Sequence, residues 1–203
     1  MQIARELRPV GCIAERLESG ESEKYSSCVI PCFGLHPWFI AERSPNWFNI
    51  LKELLHSTPS STVGEIGLDK GSHGKEIDFK DQVQVFRQQL ELAKELQRPV
   101  SIHCVSAFGD LLKIMQSIGH LPGGAILHSY LGSAEMVPPL AKLGAYFSIS
   151  GHTMSMKLEK VKKMLKAVPS DRILLETDSP DALPNWDVDS LHWVPGDTSK
   201  TLN

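Results

Sequence analysis

The feature that most constrains this chain is an alternation: short, continuous apolar runs take turns with longer segments of helical period. Val29 to Gly34 (VIPCFG), Thr62 to Ile66 (TVGEI), Val100 to His103 (VSIH), Ala125 to His128 (AILH), Tyr146 to Ile149 and Ile173 to Glu176 (ILLE) read as strands. Runs that are apolar throughout, rather than at every second residue, predict strands covered on both faces, as in a parallel sheet. Between them, Pro45 to Leu55 carries Phe48, Leu51 and Leu55 at helical spacing. Phe79, Val83, Phe86, Leu90 and Ala93 lie on one face of a long helix, with Asp78 as its N-cap and Pro99 just past its end. Leu111, Leu112, Met115 and Ile118 predict a helix stopped by Gly119. A short helix through Val137 and Leu140 ends near Gly144, and Leu158, Val161, Leu165 and Val168 form one more helical face.

Six strands with helical crossovers predict an α/β fold. Two architectures satisfy that pattern, a doubly wound open sheet and a (β/α)₈ barrel. A barrel needs eight strands and typically about 250 residues, and this chain of 203 residues is short on both counts. The whole of 1–203 reads as a single domain with a recognisable core at 29–180. No clear apolar strand precedes Val29, and 181–203 reads as loop or poorly ordered tail.

Composition narrows the setting more than the chemistry. The formal net charge is -3 with Lys and Arg scattered, which argues against a broad basic face for duplex nucleic acid. A nucleic-acid substrate stays open, because a bound divalent metal supplies positive charge locally. Cys12, Cys28, Cys32 and Cys104 form no Cys-x-x-Cys pair, so free thiols in a reducing compartment are expected. Arg5, Glu6 and Arg8 interrupt any apolar leader, and no stretch approaches the roughly 18 apolar residues of a membrane span. The expectation is an intracellular protein, cytoplasmic or nuclear, with no membrane partner.

Chemistry enters at the strand ends. His36, Glu65, His103 and His128 fall at or close to the carboxyl end of an apolar run, and Asp178 lies just beyond the last one. In parallel α/β folds those ends form one face, so these residues meet in space. Glu65, His103, His128 and Asp178 therefore form a candidate metal site of nitrogen and oxygen ligands, suited to Zn, Mn, Co or Mg. Such an ion lowers the pKa of a bound water and polarises a phosphoryl or carbonyl oxygen. Glu65 is placed to bridge ions, and Asp178 to orient or deprotonate the attacking water. Any one of these histidines alone is as well explained by hydrogen bonding in the core, and Asp178 alone by a turn before Pro180. His152 ranks below them as a substrate contact in a Ser-Gly-His-Thr loop. His56, His73, His120 and His192 read as solvated, and Trp38 is the tryptophan best placed near the site.

The stretches CFGLHP (32–37), VGEIGLD (63–69), RPVSIHC (98–104), ILHSYLG (126–132) and LLETDSP (174–180) together resemble the signature blocks of the TatD-type metal-dependent deoxyribonucleases, members of the amidohydrolase-like barrel hydrolases. The resemblance implies a TIM-type (β/α) barrel, here incomplete, with about six of eight strands recognisable. It also implies hydrolysis of DNA phosphodiester bonds with divalent metal ions. Glu65 would match the bridging ligand, His103 and His128 the histidines of one metal, and Asp178 the aspartate of the other. His36 would match a residue that contacts substrate rather than metal. The departures are specific: the sequence holds no His-x-His pair, Val105 stands where the family usually has Arg, and no Asn-Glu-Pro-like segment follows Pro180. The expectation is a shortened chain with a full ligand set for one ion, half a set for another, and reduced or absent turnover. Hydrolysis of an amide, ester or lactone, and a catalytically silent metal-binding protein, are the two competing readings.

Overall fold

The computed structural model describes residues 30–154 and 156–178. Six strands form one sheet: β1 (Cys32–Phe33), β2 (Thr62–Asp69), β3 (Val100–Val105), β4 (Ala125–Leu127), β5 (Ala145–Ile149) and β6 (Ile173–Leu175). Every neighbouring pair is parallel, and the strands lie in sequence order from β1 to β6. A doubly wound sheet reverses its strand order at a switch point. This one does not, so the winding is of the barrel type. The proposed tail at 181–203, the amino-terminal segment, Val29, Cys12 and Cys28 lie outside the described residues.

The helices follow the expected faces. They are α1 (Trp47–Ser57), α2 (Phe79–Glu95), α3 (Phe108–Ile118), α4 (Val137–Lys142), α5 (Gly151–Met154) and α6 (Leu158–Ala167). The Asp78 side chain accepts a hydrogen bond from the Lys80 N–H at 3.1 Å and so caps α2. Gly119, at φ 78°, takes the left-handed turn that ends α3. One feature departs from expectation and a second lies where the sequence made none. The His152 segment is a helical turn, α5, rather than a loop, and Ser150 Oγ accepts the His152 N–H at its start. Residues Pro37–Glu42 form a 3-10 turn capped by the His36 side chain.

β1 is shorter and β2 longer than their apolar runs. Pro31 has no N–H to give the ladder, although its carbonyl accepts from the Thr62 N–H. Past Phe33 the chain leaves the sheet, and a side chain takes over the pairing: Gln89 Oε1 accepts the Leu35 N–H at 2.7 Å while its Nε2 donates to the Leu35 carbonyl at 3.1 Å. β2 runs past Glu65 to Asp69 and carries one extra residue between Val63 and Ile66, where its pairing with β3 slips. Bulges of this kind re-aim side chains beside functional sites. Gly67 lies opposite His103 at φ 156°, and a Cβ there would stand 1.9 Å from the His103 carbonyl oxygen. Only glycine permits that approach.

On β3 the two faces differ. Val100, Ile102 and Cys104 are buried against the helices, whereas Ser101, His103 and Val105 turn to a more open side. Leu51, Ile66, Leu68, Phe86, Leu90, Leu111, Met115, Leu127 and Phe147 belong to one buried core. Two glutamines of α2 are buried as completely as that core. Gln89 brackets Leu35, and Gln82 does the same for Asp69: its Oε1 accepts the Asp69 N–H at 2.8 Å and its Nε2 donates to the Asp69 carbonyl at 3.0 Å. A buried backbone group left without a partner costs roughly 1–3 kcal/mol. Replacing Gln89 with Leu strands both polar groups of Leu35, so the Gln89→Leu protein should lose about 2–4 kcal/mol in urea unfolding. The exposed Glu91→Ala change should stay within about 0.5 kcal/mol of the parent. Equal stabilities for the two variants would rule out the bracketing role.

Candidate metal centre

Glu65 is the hinge of the site. β2 holds it facing β3 and β4, and its Oε1 lies 3.2 Å from His103 Nδ1 and 3.2 Å from His128 Nδ1. His103 stands within β3, and His128 directly follows β4. The far nitrogen of each ring meets another carboxylate. His103 Nε2 is 3.1 Å from Asp69 Oδ2. His128 Nε2 is 3.2 Å from Glu176 Oε2 and 3.6 Å from Asp178 Oδ1. Asp178 Oδ2 in turn lies 3.1 Å from His152 Nε2. The result is one chain of alternating acids and imidazoles running along the carboxyl side of β2, β3, β4 and β6.

Asp69 and Glu176 are held from behind. The Trp38 indole N–H donates to Asp69 Oδ2, and the Gly71 N–H donates to Asp69 Oδ1 at 2.6 Å. Glu176 accepts the Ser129 N–H at 2.8 Å, the Ser129 hydroxyl at 2.6 Å, and the Ser148 hydroxyl. Ser129 and Asp178 both carry positive φ, 42° and 51°. Side chains rarely adopt that conformation, and where they do it tends to mark functional sites.

Electrostatics follows the geometry. Burial alone would raise the Glu65 carboxyl, but hydrogen bonds from His103 and His128 outweigh it and hold the group well below the ordinary carboxylate range. Burial likewise opposes charge on His103, yet Asp69 and Glu65 raise it to about 9. For His128, burial is overcome chiefly by Glu65, again to about 9. Asp69 resists burial through His103 and Trp38 and falls to about 2.

His36 is the exception. It is 5% exposed, and burial followed by repulsion from His103 lowers it to about 4, so it is neutral at pH 7. Its Nδ1 accepts the Trp38 N–H at 3.3 Å, which leaves the proton on Nε2. His36 therefore presents an uncharged N–H donor.

All five residues singled out from the sequence lie in or against this cluster. Glu65, His103, His128 and Asp178 form its links, and the His36 ring centroid is 4.5 Å from that of His103. Among the described residues, the trio with ligand atoms all within 4.8 Å of one another is His36, Glu65 and His103. Compactness thus favours His36 over His128, while the His36 tautomer speaks for a donor; the bond to Trp38 would have to break before His36 Nε2 could ligate. The Trp38 N–H is a specific partner for Nδ1, whereas proximity is not, so His36 stands as a donor beside the ligands. Sequence reasoning passed over Asp69 and Glu176, although Asp69 closes VGEIGLD and Glu176 closes ILLE. The signal that found the others, an acid at the end of an apolar run, was present for both.

The donor set suits a divalent ion. Imidazoles and carboxylates converge on one partly open side, and the acids already draw positive charge there as protons on His103 and His128. Metal binding must displace those protons. Below about pH 9 both rings start protonated, so affinity for Mn²⁺ should rise with pH, by up to about tenfold per unit for each proton displaced, and level off above it. Calorimetry in buffers of different ionisation heat should register the released protons; pH-independent binding from pH 6 to 8 would contradict it. For the ion-free protein the sign is opposite. Stability from the raised histidines is full below pH 6.5 and is lost as pH climbs through about 9.

Comparison with known proteins covers most of the chain. The family described as "TatD related DNase" matches residues 15–198. The chain is 32% identical over 157 residues to the uncharacterized metal-dependent hydrolase YabD of Bacillus subtilis, covering 77% of this chain and 61% of that protein. It is 34% identical over 153 residues to the 3'-5' ssDNA/RNA exonuclease TatD of Erwinia billingiae, covering 74% and 58%. It is also 33% identical over 155 residues to the human 3'-5' RNA nuclease TATDN2, covering 75% of this chain and 20% of that one. Among solved structures, the TatD homolog YJJV from Escherichia coli superposes with a TM-score of 0.72 at 26% identity, covering 85% of this chain and 65% of its own. The chain thus spans about three fifths of the length of the bacterial relatives.

Proposed function

The chain belongs to the TatD-related DNase family, and from that premise we propose that it is a metal-dependent nuclease hydrolysing the phosphodiester bonds of DNA. The observation that carries the reading is the Glu65 carboxylate shared by His103 and His128, with Asp178 3.6 Å beyond the second imidazole. Core histidines need one partner each. Here each ring nitrogen meets an acid, an arrangement that a purely structural role does not call for.

In this reading Glu65, His103, His128 and Asp178 would hold divalent metal, and Asp69 and Glu176 orient the imidazoles from behind. A divalent ion bound there would supply polarisation of the phosphoryl oxygen and a lower pKa for the attacking water. Asp178 receives the water proton, and His152 and Ser129 hold the carboxylate in position to do so. The neutral His36 Nε2–H donates to a non-bridging phosphoryl oxygen, a contact of the kind that strengthens as charge builds there. The water oxygen bonds to phosphorus, the bond to the leaving alcohol breaks, and solvent protonates that alcohol. Among the described residues no helix is long and apolar enough to cross a membrane.

The test is a 3′-labelled single-stranded DNA incubated with Mg²⁺ or Mn²⁺, beside the same sequence as duplex and as RNA. Metal-dependent shortening of the DNA is expected, with His128→Ala slower by at least about a hundredfold, the range seen when groups that act in the transition state are removed. Cleavage of RNA alone would move the substrate assignment. Turnover of a lactone or amide but not of nucleic acid would replace the reading. No metal-dependent difference between parent and His128→Ala would end it.

A further inference from the structure

Trp38 is the aromatic among the large apolar side chains that stand exposed, at 36%; the other two described, Ile30 and Leu175, are aliphatic. An exposed indole is usually free to turn, but this one is fixed. Its N–H donates to Asp69, its backbone N–H caps on His36, and its ring meets the His36 ring edge-on at 4.8 Å. The ring centroid lies 5.8 Å from that of His103. A rigid, flat, solvent-facing surface therefore borders the candidate metal centre. One of its faces already accepts a planar ring: the exposed His73 lies against it, centroids 4.5 Å apart and planes 31° apart.

We propose that Trp38 is a stacking platform for an unpaired nucleobase next to the scissile phosphate, and that the base takes the place of the His73 ring. The proposal rests on the nuclease reading above and adds a determinant to it. A base can lie on a protein ring only once it has left its own stack, so the platform selects single strands and frayed ends. On the side away from the metal centre, the lysines offer no net positive anchor. The neighbouring cleft of about 540 Å³ sets Lys70 and Lys75 against Asp69, Glu76 and Asp78. A nucleotide reaching past the metal centre on this side therefore gains more from a ring face than from phosphate neutralisation by lysines.

Binding, not turnover, is the primary readout, so the outcome does not depend on catalysis. Fluorescence anisotropy of a labelled single-stranded oligonucleotide in Ca²⁺, and again in EDTA, is compared with the same oligonucleotide made abasic at its 3′-terminal nucleoside. The parent should prefer the base-bearing strand by roughly ten- to a hundredfold. Trp38→Ala should abolish the preference by weakening only the base-bearing strand. Trp38→Phe, which keeps a ring but loses the N–H to Asp69, should retain most of it, as should Asp69→Asn. His73→Ala should bind the base-bearing strand as tightly as the parent or tighter. A parent that binds both strands equally, or neither, overturns the platform. So does a Trp38→Ala protein that weakens both strands alike, which would make Trp38 only a support for Asp69, and so does a His73→Ala loss as large as that of Trp38→Ala. If instead the base preference is found but no strand is cleaved with Mg²⁺ or Mn²⁺, the nuclease reading fails and the platform stands.

Discussion

The arrangement depends on one buried carboxylate. Glu65 is carried by β2 into a position where it has little water, and an unpaired charge there would be prohibitively costly. Two imidazoles from the next two strands offset that cost, and they do so only if β2, β3 and β4 keep their mutual register. The extra residue in β2 beside Glu65 and the glycine opposite His103 are what bring the three groups within hydrogen-bonding distance. The site is thus also a constraint on the sheet: the strands cannot slide without separating an acid from its base.

The same acids that settle the fold of this region give it an appetite for cations. Four carboxylates, from Glu65, Asp69, Glu176 and Asp178, face His103 and His128. In the ion-free chain that imbalance is met by protons. A divalent ion competes for the same place with more charge and with several ligands at once. His36, kept neutral by burial and by its neighbour, stays outside this exchange and can serve as a donor whatever the state of the others.

Much of this was legible from the residues alone. Unbroken apolar runs such as VSIH and AILH announced parallel strands, and the period of Phe79, Phe86, Leu90 and Ala93 announced α2. The histidines and acids at the ends of those runs announced the site, because a doubly covered strand has no structural use for them. Three things were not legible. The bulge in β2 is a property of pairing between strands, so TVGEI looked like a short strand ending near Glu65 when it continues to Asp69. The choice between winding patterns depends on strand order, which a list of runs does not contain; only the resemblance of the signature blocks implied the barrel type, and the strand order agrees with it. Gln82 and Gln89 resembled surface residues, since glutamine carries no hydrophobic signal. Their burial makes sense only once the backbone groups they bind, at Leu35 and Asp69, are in view.

Those two glutamines have a mechanical consequence. They sit seven residues apart, two turns along α2, and each grips the backbone at a different edge of the site: Leu35 after β1, and Asp69 at the end of β2. Leu35 leads through His36 to Trp38, Trp38 is tied to Asp69, Asp69 to Gln82, and α2 carries the link back to Gln89 and Leu35. The circuit is closed, like a truss whose members brace one another. The donor at His36, the ring at Trp38 and the acid at Asp69 should therefore move together as a single body, and much of the disorder that ligand binding would otherwise have to remove is already absent.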